Sequence, residues 1–227
     1  DRDFLVELAM CCATLTMHLS RWCEDWIIYS STEFGMIELH DAYCTSSSMM
    51  PQKKNADTLE LIRGKTASTF GSLMSLLTMV KGLPLAYNRD MQDDKRFAFM
   101  TVKQTLLALG VAPGIVSTAK FREEIVAATI DEGFLDATAL AEYLVNRGVP
   151  FRTAHHIVGQ LVATAEAEGL ALSELTLDTF QEASDAIAKD VYQYLTAKNV
   201  VKRYAPDGAG GKKQLAKQLR FWTRKLQ

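Results

Sequence analysis

The run Thr45-Ser46-Ser47-Ser48-Met49-Met50-Pro51-Gln52-Lys53-Lys54-Asn55 gathers three consecutive serines, a proline and two lysines between two long helical patterns. A stretch like this has no apolar periodicity and gives a core little to bury. It can, however, set a hydroxyl beside fixed cations at the start of a helix, where backbone N–H groups favour anions. One chemistry that needs this set is elimination of a group β to a carboxylate. A base removes a weakly acidic proton, cations and N–H donors hold the extra charge that develops, and an acid protonates the departing nitrogen or oxygen. Serine is a poor base in water and becomes competent only where a lysine and backbone dipoles favour its alkoxide. Ser47 and Ser48, followed by Lys53 and Lys54, supply those groups. By composition alone, a solvated Ser/Lys connector satisfies the same pattern.

The elements that must position this loop are long helices. Leu5, Leu8, Cys12, Leu15, Leu19, Trp22 and Trp26 alternate in steps of three and four, the packing seam of a bundle helix. Leu59, Ile62, Thr66, Thr69, Leu73, Leu76 and Val80 repeat the pattern after the loop, with a small, hydroxylated middle that permits close helix approach. At ~1.5 Å per residue each helix spans roughly 35–40 Å, and neither can cover its own seam alone, which predicts association. The second helix is expected to start with Asp57 or Thr58 as its cap and to stop at Gly82-Leu83-Pro84. A third pattern runs from about Met91 to Lys120, with a break or kink expected at Gly110 to Gly114 around Pro113.

Beyond it the segments shorten: 136–147, capped by Asp136, then 152–168, 175–188, 191–196 and a closing amphipathic helix at 212–227. No strand pattern or internal repeat is evident. The expected fold is all-α, with residues 1–122 forming part of a long-helix bundle that carries the loop at 44–58. Residues 123–227 form a small C-terminal helical domain.

Composition narrows the partners. The chain is 48% hydrophobic and 23% charged, as in ordinary globular proteins, and a net charge of −2 gives no electrostatic attraction to nucleic acid or an anionic membrane. No apolar run approaches the ~18 residues of a transmembrane helix. Cys11, Cys12, Cys23 and Cys44 lack C-x-x-C spacing and read as buried free thiols of a reducing compartment. His155 and His156 point about 100° apart on a helix and are read as packing or surface residues. The basic residues of the last helix are read as a solvated face over Leu215, Leu219, Trp222 and Leu226. The opening Asp1-Arg2-Asp3-Phe4, without a methionine, reads as a chain cut partway through a larger protein.

The loop resembles the signature loop of the fumarase/aspartase superfamily, and Met50-Pro51-Gln52-Lys53-Lys54-Asn55 resembles the argininosuccinate lyase family in particular. The stretch from Lys81 to Lys95, Lys-Gly-Leu-Pro-Leu-Ala-Tyr-Asn-Arg-Asp-Met-Gln-Asp-Asp-Lys, is similar to the same family, as are 135–144 and 148–156. The likeness covers most of the chain and fades after about residue 170. It implies Ser47 as the catalytic base, Lys53 as the loop cation and Glu60 as the carboxylate that orients the histidine of the acid machinery. It implies that Ser48, Asn55, Tyr87, Gln92 and Lys95 bind substrate, with Arg2, in an Arg-Asp-Phe stretch, lining the site.

The resemblance further implies reversible cleavage of argininosuccinate to arginine and fumarate, the chemistry of arginine biosynthesis and the urea cycle. The implied assembly is a homotetramer whose active sites are shared between subunits, in the cytoplasm or an organelle. A small-molecule substrate is expected, with no metal or organic cofactor, no nucleic acid and no membrane. The N-terminal half of the enzyme, with further site residues, would lie outside this chain. The alternatives are a catalytically weak structural homologue of the crystallin kind, or another lyase of the superfamily.

Two departures stand out. The family glycine before the serine pair is Ser46, which would cost about 1 kcal/mol or more if that position required a positive φ. Arg96 stands where a glutamate is common in the family.

Overall fold

Three long helices run up, down and up. In the computed structural model, which describes residues 1–130 and 133–227, these are α1 (Asp3–Tyr29), α2 (Asp57–Val80) and α3 (Asp94–Thr118), each packed against the other two. They belong to the first of two compact units, Asp1–Ile125; the second is Val126–Gln227. The fold is all-α, and its strands are two-residue pairings among the described residues.

The face of α1 that turns inward is Ala9, Cys12, Ala13, Thr16 and Cys23, and that of α2 is Leu59, Ile62, Thr66, Thr69, Ser72 and Leu76. Small side chains dominate the midpoint, so the two backbones can approach closely. There the Thr16 and Thr69 hydroxyls lie 2.7 Å apart, and Thr66 donates to the Thr16 carbonyl at 3.1 Å. This shifts the buried face of α1 off the leucine stripe. Within this single chain Leu8 (42% exposed) and Leu15 are exposed and Leu5, Leu19 and Leu73 half-buried, on a seam expected to be covered partly by other chains. An open apolar groove of about 600 Å³ follows, between Leu5, Leu8, Phe99, Leu106 and Leu107.

Three local expectations are corrected. The cap of α2 is Ala56, whose side chain offers no hydrogen bond, so neither Asp57 nor Thr58 serves. Pro113 sits inside a continuous α3, so the chain does not break there; the burial of Ala112 and Ile115 holds the helix where one backbone bond is lost. By length and mean hydropathy, α1 and the stretch Arg89–Thr118 could cross a bilayer, contrary to the sequence reading.

At the far end of α1 the chain forms the loop's seat. Strand β1 (Ile37–Glu38) pairs antiparallel with β4 (Lys120–Phe121), Ile37 opposite Phe121. β2 (Thr45–Ser46) and β3 (Lys54–Asn55) are placed between them in the chain. Cys23, Ile37, Leu39, Leu59, Ile62, Ala108 and Ile115 form the core beneath, with Trp22, Trp26 and Tyr43 against it. Burial pushes the Cys23 thiol up to about 12, against the opposing charge of Arg63. Cys12 is also buried and Cys44 half-buried, but Cys11 is exposed, so the expectation of four buried thiols fails at that position.

The second unit begins within α4 (Glu123–Thr129), a helix the sequence reading did not separate. It continues through α5 (Ala137–Asn146), α6 (Phe151–Glu168), α7 (Leu177–Ala183), α8 (Ala197–Arg203) and α9 (Lys212–Leu226). Leu140, Tyr143, Leu144, Leu161, Phe180, Ile187 and Leu195 lie at its core. The helix expected at 175–188 stops at Ser184. That residue is extended, and its hydroxyl takes the Ala186 N–H at 3.3 Å, a local bond that competes with helix. Asp136 does stand at the N-cap of α5, but its carboxylate accepts the Thr196 N–H at 2.8 Å instead of an α5 amide. Asp190 accepts from the Tyr143 hydroxyl at 2.9 Å and from Arg147 at 2.7 Å, tying α5 to the chain near residue 190. His155 and His156 are exposed on α6.

A Cβ placed on Gly114 would lie 2.0 Å from the Tyr43 hydroxyl, so the tyrosine next to the loop and the glycine on α3 fit only each other. Gly114→Ala should therefore cost about 1–3 kcal/mol in denaturant unfolding, the usual penalty of overpacking. It should also release the Tyr43 ring, read as a change in near-ultraviolet dichroism. Unchanged stability would mean that Tyr43 moves aside freely.

Candidate active site

The serine-lysine loop is a hairpin. β2 pairs antiparallel with β3, Thr45 opposite Asn55 and Ser46 opposite Lys54. The Asn55 amide closes the same rung by donating to the Thr45 carbonyl at 3.2 Å. Since Ser46 and Lys54 are the last pair, Ser47 and Lys53 follow on opposite sides of the hairpin mouth, and the two backbones are held close there.

Ser47 is half-buried, and its Oγ accepts hydrogen bonds from the Met49 and Met50 N–H groups, each at 3.2 Å. Two donors on one oxygen favour its charged form over the neutral hydroxyl. Ser48 and Lys53 are exposed, and the Lys53 ammonium has no ion-pair partner among the described residues. Lys54 meets Asp41 at 2.6 Å. The hydrogen bond and charge of Lys54 hold the Asp41 carboxyl below its usual range. A polar cleft of about 450 Å³ lies under the hairpin, lined by Asp41, Cys44, Ser46, Gln52, Lys53 and Lys54 among others. Ser46 lies in β2 and is not among the described non-glycine residues at positive φ, which are Ala86, Phe134 and Thr196. In this conformation Ser46 therefore carries no positive-φ strain.

Glu60 is exposed in the first turn of α2, immediately beyond the hairpin. Ser47, Ser48, Lys53, Asn55 and Glu60 are thus brought to one end of the bundle. Tyr87, Gln92, Lys95 and Arg2 are at the other. The segment that carries the first three follows the end of α2 at Val80, and the 24-residue helix between spans ~36 Å.

At that second end Tyr87 is 61% exposed and Gln92 is exposed in a 3-10 turn (Arg89–Asp93). Ala86, just before Tyr87, is held at φ 91, and the Asn88 amide donates to its carbonyl at 3.2 Å. A cleft of about 320 Å³ takes Arg2, Leu85, Tyr87 and Met91 among its walls. Arg2 also accepts the Leu5 and Val6 N–H groups on its carbonyl, starting α1.

Sequence reasoning missed Asp94, the buried carboxylate at the start of α3. Its Oδ2 accepts from Arg2 Nε at 2.6 Å and its Oδ1 from Lys95 Nζ at 3.0 Å. The residue stood within the motif already quoted, directly before Lys95, but only the fold shows that Arg2 reaches it. Among the described residues, no three His, Cys, Asp or Glu side chains gather into a metal-binding group.

Two family models match this chain: "Argininosuccinate lyase C-terminal" over residues 134–202 and "Lyase" over residues 1–71. An argininosuccinate lyase of Rhodopirellula baltica is 44% identical over 227 residues, covering all of this chain and 49% of the relative. That of Carboxydothermus hydrogenoformans is 48% identical over 97% of this chain and 48% of the relative. This chain belongs to the argininosuccinate lyase family. It spans about half the length of the family relatives it matches.

Among solved structures, an EDDS lyase variant with bound fumarate superposes with a TM-score of 0.77 at 26% identity, covering 99% of this chain and 46% of that one. A class II fumarase from Schistosoma mansoni gives 0.67 at 16% identity, over 90% of this chain and 40% of that one, a likeness of fold. The family's long-helix architecture is therefore the one seen here.

Burial alone would push the Asp94 carboxyl up. Hydrogen bonds from Lys95 and Arg2, with the Lys95 charge, outweigh it and hold the group below the ordinary aspartate value of 3.8. A depressed carboxyl contributes stability that is present above its unfolded value and lost as pH falls through its folded one. Protection factors of the first turn of α1, measured by hydrogen exchange, should thus stay level down to about pH 4 and fall below it. Asp94→Asn should remove that acid step; a step that persists in the variant would assign it to another group.

Proposed function

We propose that this chain is the part of an argininosuccinate lyase that supplies the base loop and one substrate-binding end. The protein would split argininosuccinate into arginine and fumarate. The observation that carries the reading is the hairpin, in which a half-buried serine oxygen accepts two backbone N–H bonds and which also carries Lys53, a lysine with no ion-pair partner among the described residues. Ser47 Oγ takes the proton from the carbon next to the succinyl carboxylate. The electron pair moves onto that carboxylate, where Lys53 and backbone N–H donors oppose the added charge. As the carboxylate re-forms, the C–N bond breaks, fumarate is left, and the departing nitrogen of arginine takes up a proton. Glu60 orients the acid machinery, Ser48 and Asn55 bind the fumarate portion, and Tyr87, Gln92, Lys95 and Arg2 hold the amino-acid end. No step needs a metal or organic cofactor.

The separation of the two ends supports a shared site. A substrate of this size, roughly 10–15 Å when extended, cannot bridge ~36 Å of helix, so a complete site needs the loop of one subunit beside the Tyr87 end of another. An assembly with α2 helices antiparallel across subunits achieves that, and the exposed Leu8, Phe70, Met74, Phe99 and Leu106 give it apolar surface to bury. A homotetramer in the cytoplasm fits this arrangement. A sister C–N lyase is the second reading, favoured by the likeness to the EDDS lyase variant with bound fumarate.

Fumarate release from argininosuccinate by the intact protein, followed by ultraviolet absorbance, tests the reaction. Ser47→Ala should lower it by at least 10²–10⁴-fold with helix content unchanged, as loss of a base does. Turnover within a few-fold of the unsubstituted protein would remove Ser47 from the mechanism, and release of fumarate only from other amines would favour the sister lyase.

Mixed subunits test the assembly. Co-refolded Ser47→Ala and Tyr87→Phe subunits should recover part of the activity that each lacks alone, because some sites then draw both intact residues from different chains. Recovery no greater than the sum of the separate variants would place both residues in one chain's site.

A further inference from the structure

We propose that Asp94 is a positioning residue of the substrate-binding end, holding the Lys95 ammonium and the Arg2 guanidinium as one preset carboxylate receptor. The inference rests on the reading that Lys95 and Arg2 face the amino-acid end of the substrate. Asp94 is 3% exposed, whereas the side chains of Arg2 and Lys95 are 29% and 63% exposed. A buried anion therefore lies beneath two accessible cations, each bound by one donor. Lysine has three donors and the guanidinium five, so most remain free to meet a ligand.

The Lys95 bond separates positioning from simple stapling. Arg2 to Asp94 links α1 with α3 and would serve stability alone. Lys95 and Asp94 are neighbours on the same helix, so their bond adds no tertiary link. Its effect is to select one rotamer of a long, flexible chain, whose ordering would otherwise fall on the binding step. With one anion between two cations, the trio keeps a net charge of +1, matched to a single carboxylate.

The test uses the intact protein. Asp94→Asn should raise KM for argininosuccinate about tenfold with kcat changed less than about threefold, the split expected when ground-state and transition-state binding fall together. Lys95→Met should raise KM at least as far, and Asp94→Asn should add little on top of it. Asp94→Glu, which keeps the charge, should restore part of the loss, and it gives the same readouts if the asparagine variant does not fold. Independently of turnover, the Lys95 amine should acetylate several-fold faster in Asp94→Asn, because its nitrogen is released from the charge-assisted hydrogen bond that holds it against α3.

A KM within twofold of the unsubstituted protein overturns the proposal. So does an equal KM rise in the Lys95→Met background, which would leave Asp94 a staple of α1. An unchanged acetylation rate overturns the geometry. An unsubstituted protein with no argininosuccinate turnover would overturn the functional reading, and the acetylation rate would still decide for or against the held lysine.

Discussion

Where the Thr16 hydroxyl meets that of Thr69, two long helices touch through side chains too small to keep them apart, and the hydroxyls hydrogen-bond within the seam. Both threonines are buried, and each also donates within its own helix, Thr16 to the Cys12 carbonyl at 3.0 Å and Thr69 to the Thr66 carbonyl at 2.8 Å, so a slip would cost the close fit and the one bond between them, about 1 kcal/mol for the bond. Glu24 and Arg63 pair across the same two helices nearer the loop, in the same antiparallel register. Much follows from that register. The chain leaving α1 must fold back at one end of the bundle, and the chain leaving α2 must return at the other. The chemistry-bearing residues are divided between the two ends before any side chain is placed.

Much of this was legible in the sequence. The alternating steps of three and four around Leu59, Ile62 and Thr66 mark the inward face of α2 correctly, because on that helix the periodic positions are also the buried ones. On α1 the same reasoning picks the leucines, while the fold buries Ala9, Ala13 and Thr16. A pattern of large residues locates the stripe that most needs cover. It does not tell whether the cover comes from the same chain, and closeness between two helices is decided by the small residues that such patterns overlook. Pro113 and Ser184 depart in opposite directions: the buried Ala112 and Ile115 keep the helix going past a lost bond, whereas the Ser184 hydroxyl, bonded to the Ala186 N–H, ends one although Phe180 and Ile187 are buried.

The candidate site was legible as a set of residue types, not as a geometry. Ser47, Lys53, Asn55 and Glu60 come together at one end because a hairpin of two paired rungs closes the loop, which a run of serines gives no hint of. The Lys54 to Asp41 pair was hidden for the same reason, since its partner lies in a short turn outside the motif. Asp94 was passed over because a carboxylate looks out of place among groups meant to receive one. Its burial, and its contacts with two cations, become visible only once α1 and α3 are side by side.

Ala86 adds a different lesson. Its φ of 91 is a conformation that an L-residue adopts reluctantly, at a cost on the order of 1–3 kcal/mol. Glycine would meet no such penalty there, yet it would also widen the range of backbone angles open to the turn. The methyl group thus exchanges some folding free energy for stiffness just before Tyr87, with the Asn88 amide as the latch on the Ala86 carbonyl. A more stable version of this chain with glycine at 86 would be expected to hold its tyrosine less firmly. At this turn, stability and readiness to bind pull against each other through a single carbon atom.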